Sequence, residues 1–410
     1  MTHIAFINAH VFDGVSDDLS GPATVRVSAG RVVEIGGKPP ASGNAEIVDL
    51  RGATLMPGLI DAHFHAYAAD ANIGFTDSWP LSYLAHHAHQ LLKAALHRGF
   101  TTVRDAGGAD YGLWRAAEEG LIESPRIFYS GRAISQTGGH GDSRAAHVEP
   151  CGCRFIGSLA EVADGVDQVR LFVREALRKG AHQIKIFVSG GIASPTDPIW
   201  MLQFSPEEIR AAVEEAASRR TYVMAHAYTG ETIARAVKLG VRSIEHGNLL
   251  TPDAAEAMAV HGAYLVPTLA TYDALSRWGA EMGFPPESVA KIGDVAEQGA
   301  GAVAMARKAG VKIGMGTDLL GKMHVHQLHE FRLRGAVDKP VDVLRSATSI
   351  NAALLNRGGE LGCIREGAHA DLIAIEGNPL EDLGLFWREP NGISLVMKAG
   401  AIVRSRIGAS

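Results

Sequence analysis

The chain has little cysteine and no excess of basic residues. Three cysteines in 410 residues do not make a disulfide framework, so we expect a reducing, cytoplasmic location. Cys151 and Cys153 lie two positions apart, which permits a metal or redox pair but is more typical of loop thiols without a chemical role. The formal net charge of −6 argues against binding to nucleic acid or to an anionic membrane.

Long apolar runs are also missing. We find no stretch of about 20 apolar residues, the length that a membrane-spanning helix requires. The first residues, "MTHIAFINAHVFDG", lack the basic and apolar regions of a secretory signal. We therefore expect no membrane partner. With 46% hydrophobic and 20% charged residues, the chain can bury a large core and is longer than one typical domain.

One pattern recurs along the middle of the chain: an amphipathic helix, often a glycine, a short β-rich run, and a polar or glycine-rich loop. It occurs in the segments 91–108, 173–191, 213–229, 234–248, 257–269 and 304–318. The β-rich runs "LIDAHFHA" and "RIFYSGRAI" bring the total to about eight strands. This alternation predicts an α/β fold with a (β/α)8 TIM barrel. The alternative is an open doubly wound sheet, which lacks support from a GxGxxG motif after the first strand.

Both ends of the chain have a different character. Short runs of alternating polar and apolar residues fill the first 56 residues and return after residue 358. We expect residues 1–56 and 359–410 to pair into one small β-sandwich beside a barrel formed by residues 57–358.

Polar side chains stand where the predicted barrel strands end, which is where barrel enzymes carry out their chemistry. His63 and His65 close the first strand, and residues two apart in a strand face the same side. Later strand ends carry Lys185, His226, Tyr228, His246 and Asp318. Imidazole and carboxylate groups together are typical ligands of divalent metals.

Two other His-x-His pairs fit a metal site less well. His87 and His89 fall in a predicted helix over residues 82–97, where positions i and i+2 do not face each other. His324 and His326 follow the last barrel strand and would at most line its mouth. We therefore favour the pair His63 and His65.

Lys185 is unusual because it stands inside the apolar run "IKIFV", where a charge is costly to bury. It could extend to the barrel mouth or pair with a carboxylate. It could also react with CO2, and the resulting carbamate would offer two oxygens able to bridge two cations.

With these residues assembled, the chain resembles the amidohydrolase superfamily over almost its whole length. The matching motifs are "PGLIDAHFH", "IKIFVSGG", "AHAY", "EHGN", "GTD" and "LGCIREGAHADLIAIEGNP". Through "QTGGHGD" and Tyr228 the chain also resembles the binuclear zinc, prolidase-like carboxypeptidase group, which includes enzymes that hydrolyse ochratoxin A. The resemblance implies cleavage of dipeptides or N-acyl amino acids, and we expect a homo-oligomer.

The resemblance also implies a ligand set and catalytic roles. It implies two Zn²⁺ ions bridged by N6-carboxylated Lys185, one completed by His63, His65 and Asp318 and the other by His226 and His246. A hydroxide between the ions would attack the amide, and Asp318 would carry its proton to the leaving amine. Tyr228 and His140 are candidates to stabilise the oxyanion, although Tyr228 could instead only pack at the barrel rim and His140 only order its loop.

The substrate's carboxylate and side chain require further groups. Backbone amides of "SGG" at 189–191 could bind the carboxylate, as could the guanidinium groups of Arg104, Arg132 and Arg144. We expect two long loops, at about 135–160 and 270–297, to shape specificity. The second contains the bulky residues Tyr272, Trp278, Met282 and Phe284, which either bind a hydrophobic or aromatic substrate group or pack the loop onto the barrel.

Three alternative functions remain open at this stage. The same ligands permit hydrolysis of another C–N bond, in an arylurea, a carbamate or a cyclic amide. Deamination of a heterocycle is disfavoured because superfamily deaminases usually hold one metal and lack the bridging lysine. A non-enzymatic barrel scaffold is disfavoured because every ligand type is present.

Overall fold

The structure is a computed structural model, which describes residues 3–40, 45–144, 159–194, 196–284 and 286–407. Its strands are β1 His3–Val11, β2 Ser20–Ser28, β3 Arg31–Ile35, β4 Glu46–Asp49, β5 Thr54–Pro57, β6 Leu59–Phe64, β7 Phe100–Asp105, β8 Arg126–Tyr129, β9 Ala133–Ser135, β10 Ala160–Val162, β11 Ile184–Phe187, β12 Val223–Thr229, β13 Ser243–Leu249, β14 Tyr264–Val266, β15 Lys312–Ile313, β16 Leu372–Ile375, β17 Ile393–Lys398 and β18 Ala401–Ser405.

The helices alternate with these strands through the middle of the chain. They are α1 Ile73–Thr76, α2 Leu81–His97, α3 Tyr111–Glu118, α4 Val166–Arg178, α5 Pro206–Ser218, α6 Gly230–Lys238, α7 Pro252–Val260, α8 Leu269–Trp278, α9 Pro286–Ala296, α10 Gly299–Lys308, α11 His329–Gly335, α12 Pro340–Arg345, α13 Asn351–Leu354 and α14 Gly384–Trp387. A 3₁₀ helix spans Gly321–His326 and a π-helical turn spans Ser346–Ile350. None of the helices in the described ranges combines the length and the apolar content that a bilayer crossing requires.

The middle strands form two parallel sheets, ordered β6-β7-β8 and β10-β9-β11-β12-β13-β14-β15. Backbone hydrogen bonds join their edges: the Ala62 amide donates to Met315 O, and the His182 amide donates to Tyr129 O, both at 2.8 Å. The strands β6, β7, β8 and β11 to β15 therefore form a closed ring, as the (β/α)8 prediction requires.

Two barrel strands differ from the prediction. "RIFYSGRAI" is split into β8 and β9 because Gly131, with a φ of 74°, turns the chain between them. The last strand, β15, is only two residues long. Beyond it Gly316 passes so close to β6 that a side chain there would meet His63, which leaves no room for a regular strand with larger residues.

Alternation along the strands separates the packing residues from the site residues. In β11, Ile184 and Ile186 join the apolar core beneath the helices, while Lys185 between them lines the barrel mouth. In β12, Ala225 and Ala227 belong to the same core, so His226 is turned towards the barrel mouth.

Strands from both ends of the chain lie in one eight-stranded sheet. Its order is β18-β17-β16-β5-β1-β2-β3, with β4 beside β1. The C-terminal β16 pairs antiparallel with the N-terminal β5, which confirms that the two ends associate. The sandwich architecture and the boundaries at residues 56 and 358 stay predictions.

Candidate active site

A cavity of about 260 Å³ opens at the carboxyl ends of the barrel strands. It is lined by every predicted metal ligand and catalytic residue: His63, His65, His140, Lys185, His226, Tyr228, His246 and Asp318. We call six of these, the predicted metal ligands His63, His65, Lys185, His226, His246 and Asp318, the cavity floor. The rival pairs His87 with His89 and His324 with His326 do not line the cavity, since the former lie in α2 and the latter in the 3₁₀ helix.

The rings of His63 and His65 are held with one nitrogen turned towards Asp318. His63 Nδ1 lies 2.7 Å from a Glu245 carboxylate oxygen, and His65 Nδ1 lies 2.9 Å from the Gly107 carbonyl oxygen. Because both partners are acceptors, we infer that each Nδ1 carries a proton, which leaves Nε2 as the nitrogen able to bind a metal. The two Nε2 atoms lie 3.5 and 3.2 Å from Asp318 Oδ1, so two ring nitrogens and a carboxylate converge as a cation site requires.

His246 and Asp318 complete the densest cluster. Ligand atoms of His63, His246 and Asp318 all lie within 4.8 Å of one another, the one such group of three in the described ranges. This group takes residues from both predicted metal sites. His246 has a φ of 73° and Asp318 a φ of 52°, a left-handed backbone that is costly for residues other than glycine and is concentrated at functional sites.

Lys185 lies among these ligands with 2% of its surface exposed. It forms no ion pair in the described part of the chain. Neither a carboxylate partner nor contact with bulk water therefore stabilises a charge on this lysine. Burial lowers the pKa of Lys185 to about 8, against the opposing charges of Glu245 and Asp318. Lys185 is therefore a neutral amine in a larger fraction of the molecules, and the neutral amine is the form that reacts with CO2.

His226 and His140 are stacked, with ring centroids 4.2 Å apart. Burial, followed by the neighbouring His140, lowers the pKa of His226 well below its usual value, so its ring is neutral and able to bind a metal. His140 Nδ1 lies 2.6 Å from Ser194 Oγ and 3.3 Å from Asp197 Oδ2, which fixes the ring over His226.

Tyr228 is buried and its hydroxyl accepts a hydrogen bond from the Tyr272 hydroxyl at 2.9 Å. Because Tyr272 is the donor, the Tyr228 proton is left for another acceptor, and Tyr228 lines the cavity. Burial raises the pKa of Tyr228 well above its usual value, so the phenol remains protonated.

A buried ion pair that the sequence did not predict lies beneath the cavity floor. Arg104 donates to both oxygens of Glu245, at 2.8 and 2.9 Å, and also to the Ala62 carbonyl. Neither side chain is exposed, and Glu245 in turn holds His63. The prediction that Arg104 binds the substrate's carboxylate is therefore wrong. The signal was present: an arginine in an apolar strand and a glutamate beside His246 both need buried partners.

A second carboxylate, also missed, orders the backbone around His63. Asp61 accepts hydrogen bonds from the His63 amide at 3.1 Å, from Thr317 Oγ1 at 2.5 Å and from Gln327 Nε2 at 2.8 Å. It therefore joins the strand that carries His63 to the chain just before Asp318.

The "SGG" amides at Gly190 and Gly191 do not bind a carboxylate ligand. The Gly190 amide donates to the Met201 carbonyl, and the Gly191 amide donates to Asp197 Oδ2 at 2.9 Å. A side chain at Gly191 would collide with the His140 ring, so this glycine is explained by close packing. That prediction is wrong for both amides.

The two remaining arginines predicted to bind the substrate's carboxylate have different outcomes. Arg132 pairs with Glu161 at 3.1 Å and lines a separate cavity, so its assignment is wrong. Arg144 binds Asp142 at 2.6 Å, next to the cavity-lining Ser143, and its role stays a prediction.

The region 270–297 is helical, which contradicts the predicted loop. It contains α8 from Leu269 and α9 from Pro286. Tyr272 and Phe284 line the cavity and stay candidates to contact a substrate, whereas Trp278 stacks on the imidazole of His326 at 4.0 Å and so packs α8 on the 3₁₀ helix. In the other predicted loop, residues 145–158, with Cys151 and Cys153, lie outside the described residues.

We call the cavity wall the lining residues from α8, α9, the α8–α9 connection and the loop after β11. They are Ile192, Ala193, Ser194, Thr271, Tyr272, Leu275, Phe284 and Ser288. The start of α8 is held by Glu330, whose Oε2 accepts from the Ala270 amide at 2.7 Å. This cap comes from α11, 60 positions later in the chain. The sequence around residue 269 therefore contains no local capping motif from which the start of α8 could be predicted.

The amidohydrolase family model matches residues 54–403, and the chain belongs to this family. It is therefore a hydrolase of the amidohydrolase superfamily, which confirms the resemblance stated above. Ochratoxinase of Aspergillus niger is 34% identical over 368 residues. The match covers 85% of this chain and 75% of the ochratoxinase chain.

Two solved structures are similar over nearly the whole chain. A prolidase complexed with N-methylphosphonate-L-proline is 50% identical with a TM-score of 0.96, covering 99% of this chain and 100% of its own. A Xaa-Pro dipeptidase with methionine bound in the active site is 30% identical with a TM-score of 0.88, covering 98% of this chain and 100% of its own.

Proposed function

We propose that this protein is a metal-dependent amide hydrolase that releases the C-terminal residue of dipeptides or N-acyl amino acids. The observation that carries the proposal is the cavity floor. There the Nε2 atoms of His63 and His65 converge with Asp318 beside a buried Lys185 that forms no ion pair with any residue that the structure describes. Relatives named prolidase, Xaa-Pro dipeptidase and ochratoxinase support amide hydrolysis.

The donor set fits two divalent ions, which we propose to be zinc. His63, His65 and Asp318 would hold one ion, His226 and His246 the other, and carboxylated Lys185 would bridge them. When bound, such ions supply hydroxide near neutral pH and polarise a carbonyl group. The fit rests on two imidazoles whose Nδ1 atoms are fixed by acceptors and on a lysine whose pKa is lowered to about 8 by burial.

The remaining steps belong to the side chains around the floor. Asp318 accepts a proton from the attacking water and delivers it to the amine nitrogen, which cannot leave as an anion. The Tyr228 hydroxyl accepts a hydrogen bond from Tyr272 and so keeps its own proton for another acceptor. It donates this proton in a hydrogen bond to the carbonyl oxygen as negative charge develops there. His140, fixed by Asp197 and Ser194, is placed next to His226 to stabilise the same charge.

The cavity wall bears on the choice of substrate. Its side chains are mostly apolar, and they include Ile192, Leu275 and Phe284. We therefore propose a hydrophobic C-terminal residue, proline and phenylalanine included, and ochratoxin A as one substrate to test.

The test combines metal analysis with substrate profiling. Zinc-loaded protein is incubated with a library of dipeptides, N-acyl amino acids and ochratoxin A, and the released amino acid is measured. We expect about two zinc ions per chain, release of hydrophobic C-terminal residues, and loss of release after chelation that zinc restores.

Other results would overturn the proposal in distinct ways. Cleavage of arylureas, carbamates or cyclic amides, with no amino acid released from the library, would move the function to another C–N bond. Ammonia release from heterocycles would indicate a deaminase. No bound metal and no hydrolysis would indicate a scaffold.

A further inference from the structure

Lys291 of α9 reaches across the cavity wall and binds the loop that follows β11. Its ammonium donates to three backbone carbonyl oxygens: Gly191 at 3.1 Å, Ser194 at 3.0 Å and Asp197 at 3.2 Å. A lysine ammonium has three protons, so these three bonds use all of them. These carbonyls lie in irregular backbone, where no ladder or helix supplies them with partners.

The bound loop is the segment that holds His140. Asp197 is fully buried, and its Oδ2 accepts from the Gly191 amide at 2.9 Å and lies 3.3 Å from His140 Nδ1. Ser194 Oγ lies 2.6 Å from the same nitrogen. Lys291 therefore binds the carbonyls of the two residues whose side chains orient the His140 ring.

The other end of this connection is the helical part of the cavity wall. Ser288, one turn before Lys291 in α9, lines the cavity, and α9 packs on α8, which carries Tyr272. The lysine thus joins the segment that orients His140 to the segment that supports Tyr228.

We propose that Lys291 is a positioning residue that holds the loop after β11 against α9 and so keeps His140 over His226. This inference rests on the proposed function for its kinetic consequence, but its structural consequence does not require any activity. Charge-assisted hydrogen bonds are about twice as strong as neutral ones, so their loss releases the loop.

The test compares Lys291→Met, which keeps the length of the side chain without donors, with Lys308→Met. Lys308 is exposed on the neighbouring α10 and is a matched control. Hydrogen exchange followed by mass spectrometry should show exchange at least roughly tenfold faster in peptides covering 189–203 for Lys291→Met alone, since the loss of one charged hydrogen bond already gives about that factor. Peptides from β6, β12 and β13 should exchange as in the wild type.

Kinetics on a substrate found in the library supply the second readout. We expect kcat of Lys291→Met to fall roughly tenfold with KM changed much less, because an oxyanion donor is displaced and not a ground-state contact. Lys291→Arg, which keeps charge and donors, should recover part of the loss.

The outcomes separate this inference from the proposed function. Unchanged exchange at 189–203 in Lys291→Met overturns the inference, whether or not any amide is cleaved. A wild type that cleaves no amide overturns the proposed function, while the exchange comparison still decides the role of Lys291. If Lys291→Met fails to fold, Lys291→Gln replaces it in the exchange experiment under the same criteria.

Discussion

The floor and the wall of the cavity are constructed in different ways. Floor residues such as Lys185 and His226 belong to the parallel strands β11 and β12, and the ladder between these strands sets their positions. The wall is held by long side chains that reach backbone groups of other segments, Lys291 for the loop after β11 and Glu330 for α8. The difference shows that this fold places the proposed chemistry on its barrel strands and the turns that follow them, and the substrate-facing surface on contacts between distant segments.

The largest expected effect is on the floor, at Asp318. Asp318→Asn should lower kcat by about 10²- to 10⁴-fold, the usual contribution of a general acid–base group. The measurement is kcat at saturating zinc, together with the metal content of the variant. Asp253→Asn, at an exposed position of α7, should behave as the wild type. Near-normal turnover by Asp318→Asn with metal bound would remove Asp318 from the proton transfer.

Tyr228 stands where the floor meets the wall and should have the next largest effect. Tyr228→Phe should cost about 10²- to 10³-fold in kcat, the loss seen when one oxyanion donor is removed. Tyr272→Phe leaves the Tyr228 proton in place and should cost much less. Steady-state kinetics of both variants decide the order. Equal losses would mean that the tyrosine pair acts by packing alone.

Glu245 tests how the floor itself is supported. Glu245→Gln keeps an acceptor for His63 but removes the counter-charge of Arg104, so we expect zinc affinity to fall about 10- to 100-fold. Zinc titration by calorimetry measures this, with thermal unfolding as a check on folding. Glu256→Gln, exposed on α7, is the control. Zinc affinity equal to that of the wild type would show that His63 needs no charged partner.

Glu330 tests the wall and should have the smallest effect on activity. Burial raises the pKa of Glu330 to about 8, from an ordinary value of 4.5. Between these values the folded state holds a proton that the unfolded state has lost, so this group makes stability fall as pH rises from about 5 to about 8. Glu330→Gln should flatten that slope in urea unfolding at the two pH values. Identical slopes in the two proteins would show that Glu330 does not titrate in this range.

The same division between floor and wall decides what the sequence could predict. His63, Lys185 and Asp318 were found because strand alternation and position at a strand end are local properties of the chain. The pair of Arg104 and Glu245 requires knowing which strands are neighbours across the barrel. The helix α8 was missed because its cap, Glu330, is supplied by a distant segment, and Gly191 was misread because its neighbour His140 lies 51 positions away.

The pairing of β5 with β16 has a consequence for folding while the chain is being synthesised on the ribosome. β5 is followed after one residue by β6, the strand that carries His63, and its outer edge is covered by a strand more than 300 residues later. Until β16 has been synthesised, that edge exposes unpaired backbone groups able to bind other nascent chains. A chain that ends before residue 372 would therefore keep this edge open permanently, and we expect it to aggregate although it contains all the proposed metal ligands.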